Sequence, residues 1–221
     1  MKHIIVDLEM NNIARGQLVR HVCSRETIEI GAVMLDNDMR EISSFRTYVK
    51  PEYNTCIVPV VAELTGITFD MVQNAPTFAE ALRMFTNWCL GTGDEVTLYS
   101  WSDTDYNHIV KEMLMKSYIV STAEVCVLER PWQDFQAEFD HHLGFEKMVS
   151  LKNALNMAGI EFSGREHDAL DDARSTSKLL RVFRNRELFE MVFGRVAEAM
   201  KPSHCGTCIG DMFDMSAFYV A

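Results

Sequence analysis

Apolar positions along the chain first follow the period of strands and later that of helices. Residues 3–7 (His-Ile-Ile-Val-Asp) form a short β-branched run that reads as a buried strand. Residues 27–35 alternate well enough for a second strand. Asp36-Asn37-Asp38 then supplies a hairpin turn, and residues 42–50 return as a third strand ending at Pro51. The chain thus opens with an antiparallel meander. Beyond it, residues 59–64 read as a short helix before the Thr65-Gly66 break. Thr77, with Glu80 three residues on, carries a capping-box signature and starts a helix running to Leu90. A fourth strand is expected over residues 95–101, then a helix over 106–116 with Ile109, Val110, Met113 and Leu114 as its apolar stripe. Residues 124–128 read as a fifth strand, followed by helices near 132–142 and 150–158 and by the stronger helical patterns of 169–184 and 187–200. Three antiparallel strands followed by alternating helices and strands point to an α/β fold, a mixed sheet with helices on both sides.

Composition supports one domain of this kind. The 221 residues are 48% apolar and 24% charged, enough for one substantial core. No linker or internal repeat interrupts the sequence, so residues 1–200 read as one domain. Residues 201–221 read as a tail that packs on the domain or serves an interface, such as that of a homodimer. No apolar run approaches the roughly 20 residues that span a bilayer, and Asp7 comes too early for a signal peptide. A cytoplasmic protein without a membrane partner is expected. Cysteines 23, 56, 89 and 126 stand singly and read as reduced thiols. Cys205-Gly206-Thr207-Cys208, preceded by His204, has the spacing of half a zinc site or a redox pair. No second matching pair is visible, so it reads as an ordinary C-terminal segment.

The net charge of −11 argues against a broad footprint on duplex nucleic acid, which needs Lys and Arg on many phosphates. It leaves room for a pocket that holds a few nucleotides with bound metal ions supplying positive charge. A short single-stranded end is the favoured ligand.

Three acidic elements carry candidate chemistry. In Asp7-Leu8-Glu9 the two carboxylates project to one face of a strand end, and like charges there are costly unless protonated or bound to metal. In Trp101-Ser102-Asp103-Thr104-Asp105 a strand passes into a helix, where an aspartate either caps the helix or serves a site. Asp105, four residues before Ile109, sits with a fixed orientation. In His167-Asp168-Ala169-Leu170-Asp171-Asp172, Asp168 and Asp171 form an N-cap pair. His167 then falls on the preceding loop and Asp172 on a rigid turn. Within one helix the two would diverge by about 140°; the loop removes that objection. Singly, each element also has an ordinary explanation as a solvated strand end, a cap or a surface histidine.

The order DxE, Asp at a strand-to-helix junction and His-x4-Asp resembles the His-containing branch of the DEDD exonucleases. Phe45–Pro51 (Phe-Arg-Thr-Tyr-Val-Lys-Pro), Glu63-Leu64-Thr65-Gly66-Ile67-Thr68 and Ala75-Pro76-Thr77-Phe78 are similar to that family's segment between its first two motifs. Residues 3–185 are covered, and Trp101-x3-Asp105 looks nearest to the subgroup of histone-mRNA exonucleases and sporulation-pathway inhibitors.

The resemblance implies a ribonuclease H-like sheet and metal-dependent 3′→5′ removal of nucleotides from single-stranded RNA or DNA ends. It implies that Asp7, Glu9 and Asp172 hold one Mg²⁺ or Mn²⁺. Asp7 would reach a second ion, with Asp105 contributing directly or through water. His167 would accept the proton of the attacking water, a role suited to a histidine. The backbone at Met10 would meet the terminal 3′-OH and Leu64 would wedge against the terminal base. Asn11 and Asn12 with Met10 depart from the small residues and Thr common there, so the sugar preference stays open. Two alternatives use the same fold: a non-catalytic regulatory protein that binds a partner, and a phosphoesterase of small nucleotides.

Overall fold

A computed structural model describes residues 1–91 and 93–200 of the chain, so the tail and its Cys205–Cys208 pair lie outside the described residues. The first β-branched run extends further than its apolar residues. Strand β1 spans Lys2–Asn12 and pairs antiparallel with β2 (Arg25–Leu35) from His3 to Asn12, with an irregularity at Glu9/Met10. Asp7 and Glu9 are therefore held within the strand rather than at its end, because β2 continues to supply partners past the apolar run. After the turn, in which the Asp36 carboxylate accepts the amides of Asp38 and Arg40 (both 2.9 Å), β3 (Glu41–Tyr48) returns antiparallel to β2. Strand β4 (Val96–Ser100) runs parallel to β1 and β5 (Gln133–Asp134) parallel to β4, giving the order β3-β2-β1-β4-β5. This is the expected mixed sheet.

Helices cover both faces. They are α1 (Pro59–Thr65), α2 (Phe69–Val72), α3 (Phe78–Leu90), α4 (Thr104–Met115), α5 (Val125–Leu128), α6 (Phe135–Leu143), α7 (Leu151–Ala158), α8 (Ala169–Arg184) and α9 (Arg186–Met200). The capping box at Thr77/Glu80 and the Asp168 cap on the Asp171 amide form as read from the sequence. The segment 124–128 does not form the expected strand. The Glu124 carboxylate accepts the Ser121 amide (2.8 Å) and the Tyr118 hydroxyl (2.7 Å), which curl the segment into α5. A short apolar run fits either state, and here the local hydrogen bonds decide.

Period-2 alternation splits the core into two layers. Ile4, Val6 and Leu8 of β1 pack beneath α3, α4 and α5 with Phe78, Phe85 and Ile109. Ile5 faces the opposite layer with Val33, Phe135, Phe139, Leu179 and Phe193. Each fully buried Phe stabilises the fold by roughly 1.5–3 kcal/mol relative to exposure. Asp7 and Glu9 share the parity of Ile5, so they face the layer of α8. Among the described residues, no helix is long and apolar enough to cross a membrane.

Candidate active site

Pairing between β1 and β4 ends at Ile5 and Tyr99. Beyond it the edge of β1 is open, and the Leu8 amide there donates to the Asp105 carboxylate. Asp105 reaches that edge from the first turn of α4, which starts shortly after β4 and is fixed by the buried Ile109. Glu112, one face further along α4, accepts the backbone amide (2.9 Å) and hydroxyl (2.6 Å) of Thr27 and pins the helix to β2. Asp105 is 7% exposed. Asp103 is exposed at the N-cap of α4, where its carboxylate makes no cap to the backbone and accepts instead the Asn107 side-chain amide at 2.8 Å.

Helix α8 delivers the third element. Gly31 of β2 pairs with Asp7, and a Cβ on it would lie 2.2 Å from backbone atoms of Ala169 and Leu170. Only a glycine lets the first turn of α8 rest on the strand at this point. Glu29, buried on the same strand, accepts the Ala169 amide (3.3 Å) and pairs with Arg46 Nε (2.6 Å). Arg46 Nη2 then reaches Asp168 at 2.6 Å. The Glu29–Arg46–Asp168 chain thereby fixes the start of α8. His167, just before it, has φ +63°, a conformation rare for a residue with a side chain. Its amide donates to the Asp172 carboxylate. One ligand atom from each of Glu9, His167 and Asp172 lies within 4.8 Å of the others.

The electrostatics are those of a crowded acidic pocket. Burial, then the charges of Asp105, Asp172, Glu9 and Glu29, push the Asp7 carboxyl far above the usual range. Burial and Asp172 lift Glu9 to about 8, while burial lifts Asp105 and Asp172 to about 7 against the Leu8 and His167 amides. The cost of keeping four such groups ionised together falls away when a divalent cation sits between them. Hard oxygen donors with one imidazole fit Mg²⁺ or Mn²⁺.

Of the residues singled out in the sequence, Glu9, His167 and Asp172 meet directly, and Asp7 and Asp105 join them through their mutual electrostatic influence. Met10 follows Glu9 at the strand irregularity, half-buried against the first core layer, and Leu64 is 49% exposed on the last turn of α1. Sequence reasoning passed over Glu29, Gly31 and Arg46. A charged residue between the isoleucines of Thr27-Ile28-Glu29-Ile30 was the available signal for Glu29. Nothing local marked its partner on β3.

Comparison with known proteins follows the same lines. A family model described as Exonuclease (RNase_T) matches residues 4–180. The mouse protein named ERI1 exoribonuclease 2 is 32% identical over 197 residues, covering 80% of this chain and 27% of that protein. Human 3′-5′ exoribonuclease 1 is 28% identical over 160 residues, 70% of this chain and 45% of its own length. The chain thus spans only part of these relatives. Among solved structures, the nuclease domain of 3′hExo bound to rAMP superposes with a TM-score of 0.66 at 22% identity, covering 81% of this chain and 90% of that one. Exonuclease I of E. coli in complex with a dT13 oligonucleotide gives 0.62 at 14% identity, covering 90% and 43%. These likenesses confirm the fold. With its match running through all three acidic elements, the chain belongs to the exonuclease family.

Proposed function

We propose that this chain is a 3′→5′ exonuclease that shortens single-stranded RNA ends with the help of two Mg²⁺ or Mn²⁺ ions. The observation that carries the reading is the convergence of Asp7, Glu9, Asp105 and Asp172 with His167, their carboxyl pKa values lifted by burial and mutual repulsion. Asp7, Glu9 and Asp172 would hold one ion, and Asp7 with Asp105 the other; bound there, the ions would supply charge to the phosphoryl oxygens and make an attacking water more acidic. The residues do the rest. Asp105, anchored by Leu8, and Asp172, anchored by the His167 amide, keep their carboxylates from rotating away. His167 accepts the proton of the water as it attacks phosphorus in line, and the bond to the 3′ oxygen of the penultimate nucleotide breaks. That oxygen is reprotonated, and a nucleoside 5′-monophosphate leaves. In this reading the backbone at Met10, next to Glu9, would meet the terminal 3′-OH and the exposed Leu64 would meet the terminal base.

RNA is preferred in this reading because the relatives quoted above are named as exoribonucleases. The test is a matched pair of RNA and DNA oligonucleotides with products resolved by chromatography. The reading expects nucleoside 5′-monophosphates, formed faster from RNA. Nucleoside 3′-monophosphates, or internal fragments, would overturn it.

A further inference from the structure

Arg165 lies two residues before His167, and the mechanism above gives it no role. Its side chain leaves the loop and crosses to α1. There Nη2 donates to the carbonyl oxygens of Leu64 (2.9 Å) and Glu63 (3.3 Å). Carbonyls in the last turn of a helix lack partners within it, so the guanidinium caps α1. Gly66, which closes α1 at φ +69°, makes room for it: a Cβ there would lie 1.9 Å from Arg165 Nη1. At its other end the Arg165 backbone amide donates to Asp171 of α8 at 2.9 Å. Gly164, at φ +68°, lets that carboxylate approach where a Cβ would block it. Residues 164–167 therefore form a strap between α8, which carries Asp172, and the turn of α1 that carries the exposed Leu64.

We propose that Arg165 is a positioning residue that ties the His167 loop to the last turn of α1, so that seating of the 3′-terminal base on Leu64 sets the placement of the imidazole. The inference rests on the exonuclease reading for its kinetic consequence and on the strap alone for its structural one. One guanidinium nitrogen, Nη2, serves both carbonyls, so a lysine ammonium that reaches them can replace the contact in part.

The test uses the full chain and four variants. Arg165→Ala should speed amide exchange over residues 162–168 and 63–67 by about tenfold or more, leaving Mn²⁺ binding unchanged. A misplacement of about 1 Å costs on the order of 100-fold in rate, so kcat on a single-stranded RNA should fall by about that factor, with KM nearly constant. Arg165→Lys should recover part of the loss. Gly66→Ala fills the seat of the guanidinium and should mimic Arg165→Ala, while the double variant should be no worse than either alone. A 3′-terminal abasic nucleotide should lower kcat in the wild type and much less in Arg165→Ala. Unchanged exchange at 63–67, a loss confined to KM, or an equal abasic effect in both proteins would overturn the proposal. A wild-type chain that shortens no oligonucleotide defeats the exonuclease reading by itself; the exchange measurement still decides the strap.

Discussion

Four carboxyls of this protein ionise reluctantly because burial and their neighbours oppose the charge. The consequence for stability has a definite sign. Glu9 (about 8), Asp105 (about 7) and Asp172 (about 7) hold a proton more tightly when folded than a carboxyl does in the unfolded chain. Raising the pH from the ordinary carboxyl range through those values therefore removes stability. Burial alone would lower His108, but its bonds to Cys23 and Glu112 lift it to about 9, so its contribution is also lost as pH rises through that value. Thermal unfolding in a chelator should thus show a midpoint that falls between about pH 5.5 and about pH 8.5. Mn²⁺ should restore it at the upper end, as should Asp7→Asn in part. A midpoint that climbs over this range would contradict the assignment. At the same scale, His167→Ala should slow turnover by roughly 10²–10⁴-fold, the range of a lost proton acceptor. Turnover within a few-fold of wild type would assign the proton elsewhere.

Elements decide where these side chains meet. Gly31→Ala places a methyl against three backbone atoms of α8 that no rotamer change can move. It should cost about 1–3 kcal/mol in denaturant unfolding, as overpacking does, and activity should fall by far more than that stability loss explains. Activity equal to wild type would show that α8 does not need this close approach. The start of α8 was readable in the sequence because the Asp168 side chain caps the Asp171 amide locally, and α3 was readable from Thr77 and Glu80. Asp105 and Asp172 could be picked from their neighbours by spacing to Ile109 and His167. The contact between Gly31 and Ala169, the Glu29–Arg46–Asp168 chain and the reach of Arg165 to α1 could not be read. They join residues far apart in sequence, and apart from the charge of Glu29 between two isoleucines no local pattern marks them. The extension of β1 beyond Asp7 escaped for the same reason, since β2 supplies it, and residues 124–128 because Glu124 acts through Tyr118 and Ser121.

At the scale of the whole molecule, a net charge of −11 sets the kind of substrate that can approach. Few phosphates are neutralised by protein cations, so binding of a catalytically dead variant to single-stranded RNA should depend weakly on salt. A log–log slope of about −1 to −3 is expected, against about −0.7 for each phosphate contacted. A much steeper slope would contradict a footprint confined to a short free end. Hydrolysis from the 3′ end at the acidic cluster is open to direct measurement. A 5′-labelled single-stranded RNA is incubated with the chain and Mn²⁺, with Asp7→Ala alongside. A one-nucleotide ladder shrinking from the 3′ end, erased by chelator and by Asp7→Ala, is the expected result. No ladder, or one that persists in Asp7→Ala, would contradict it.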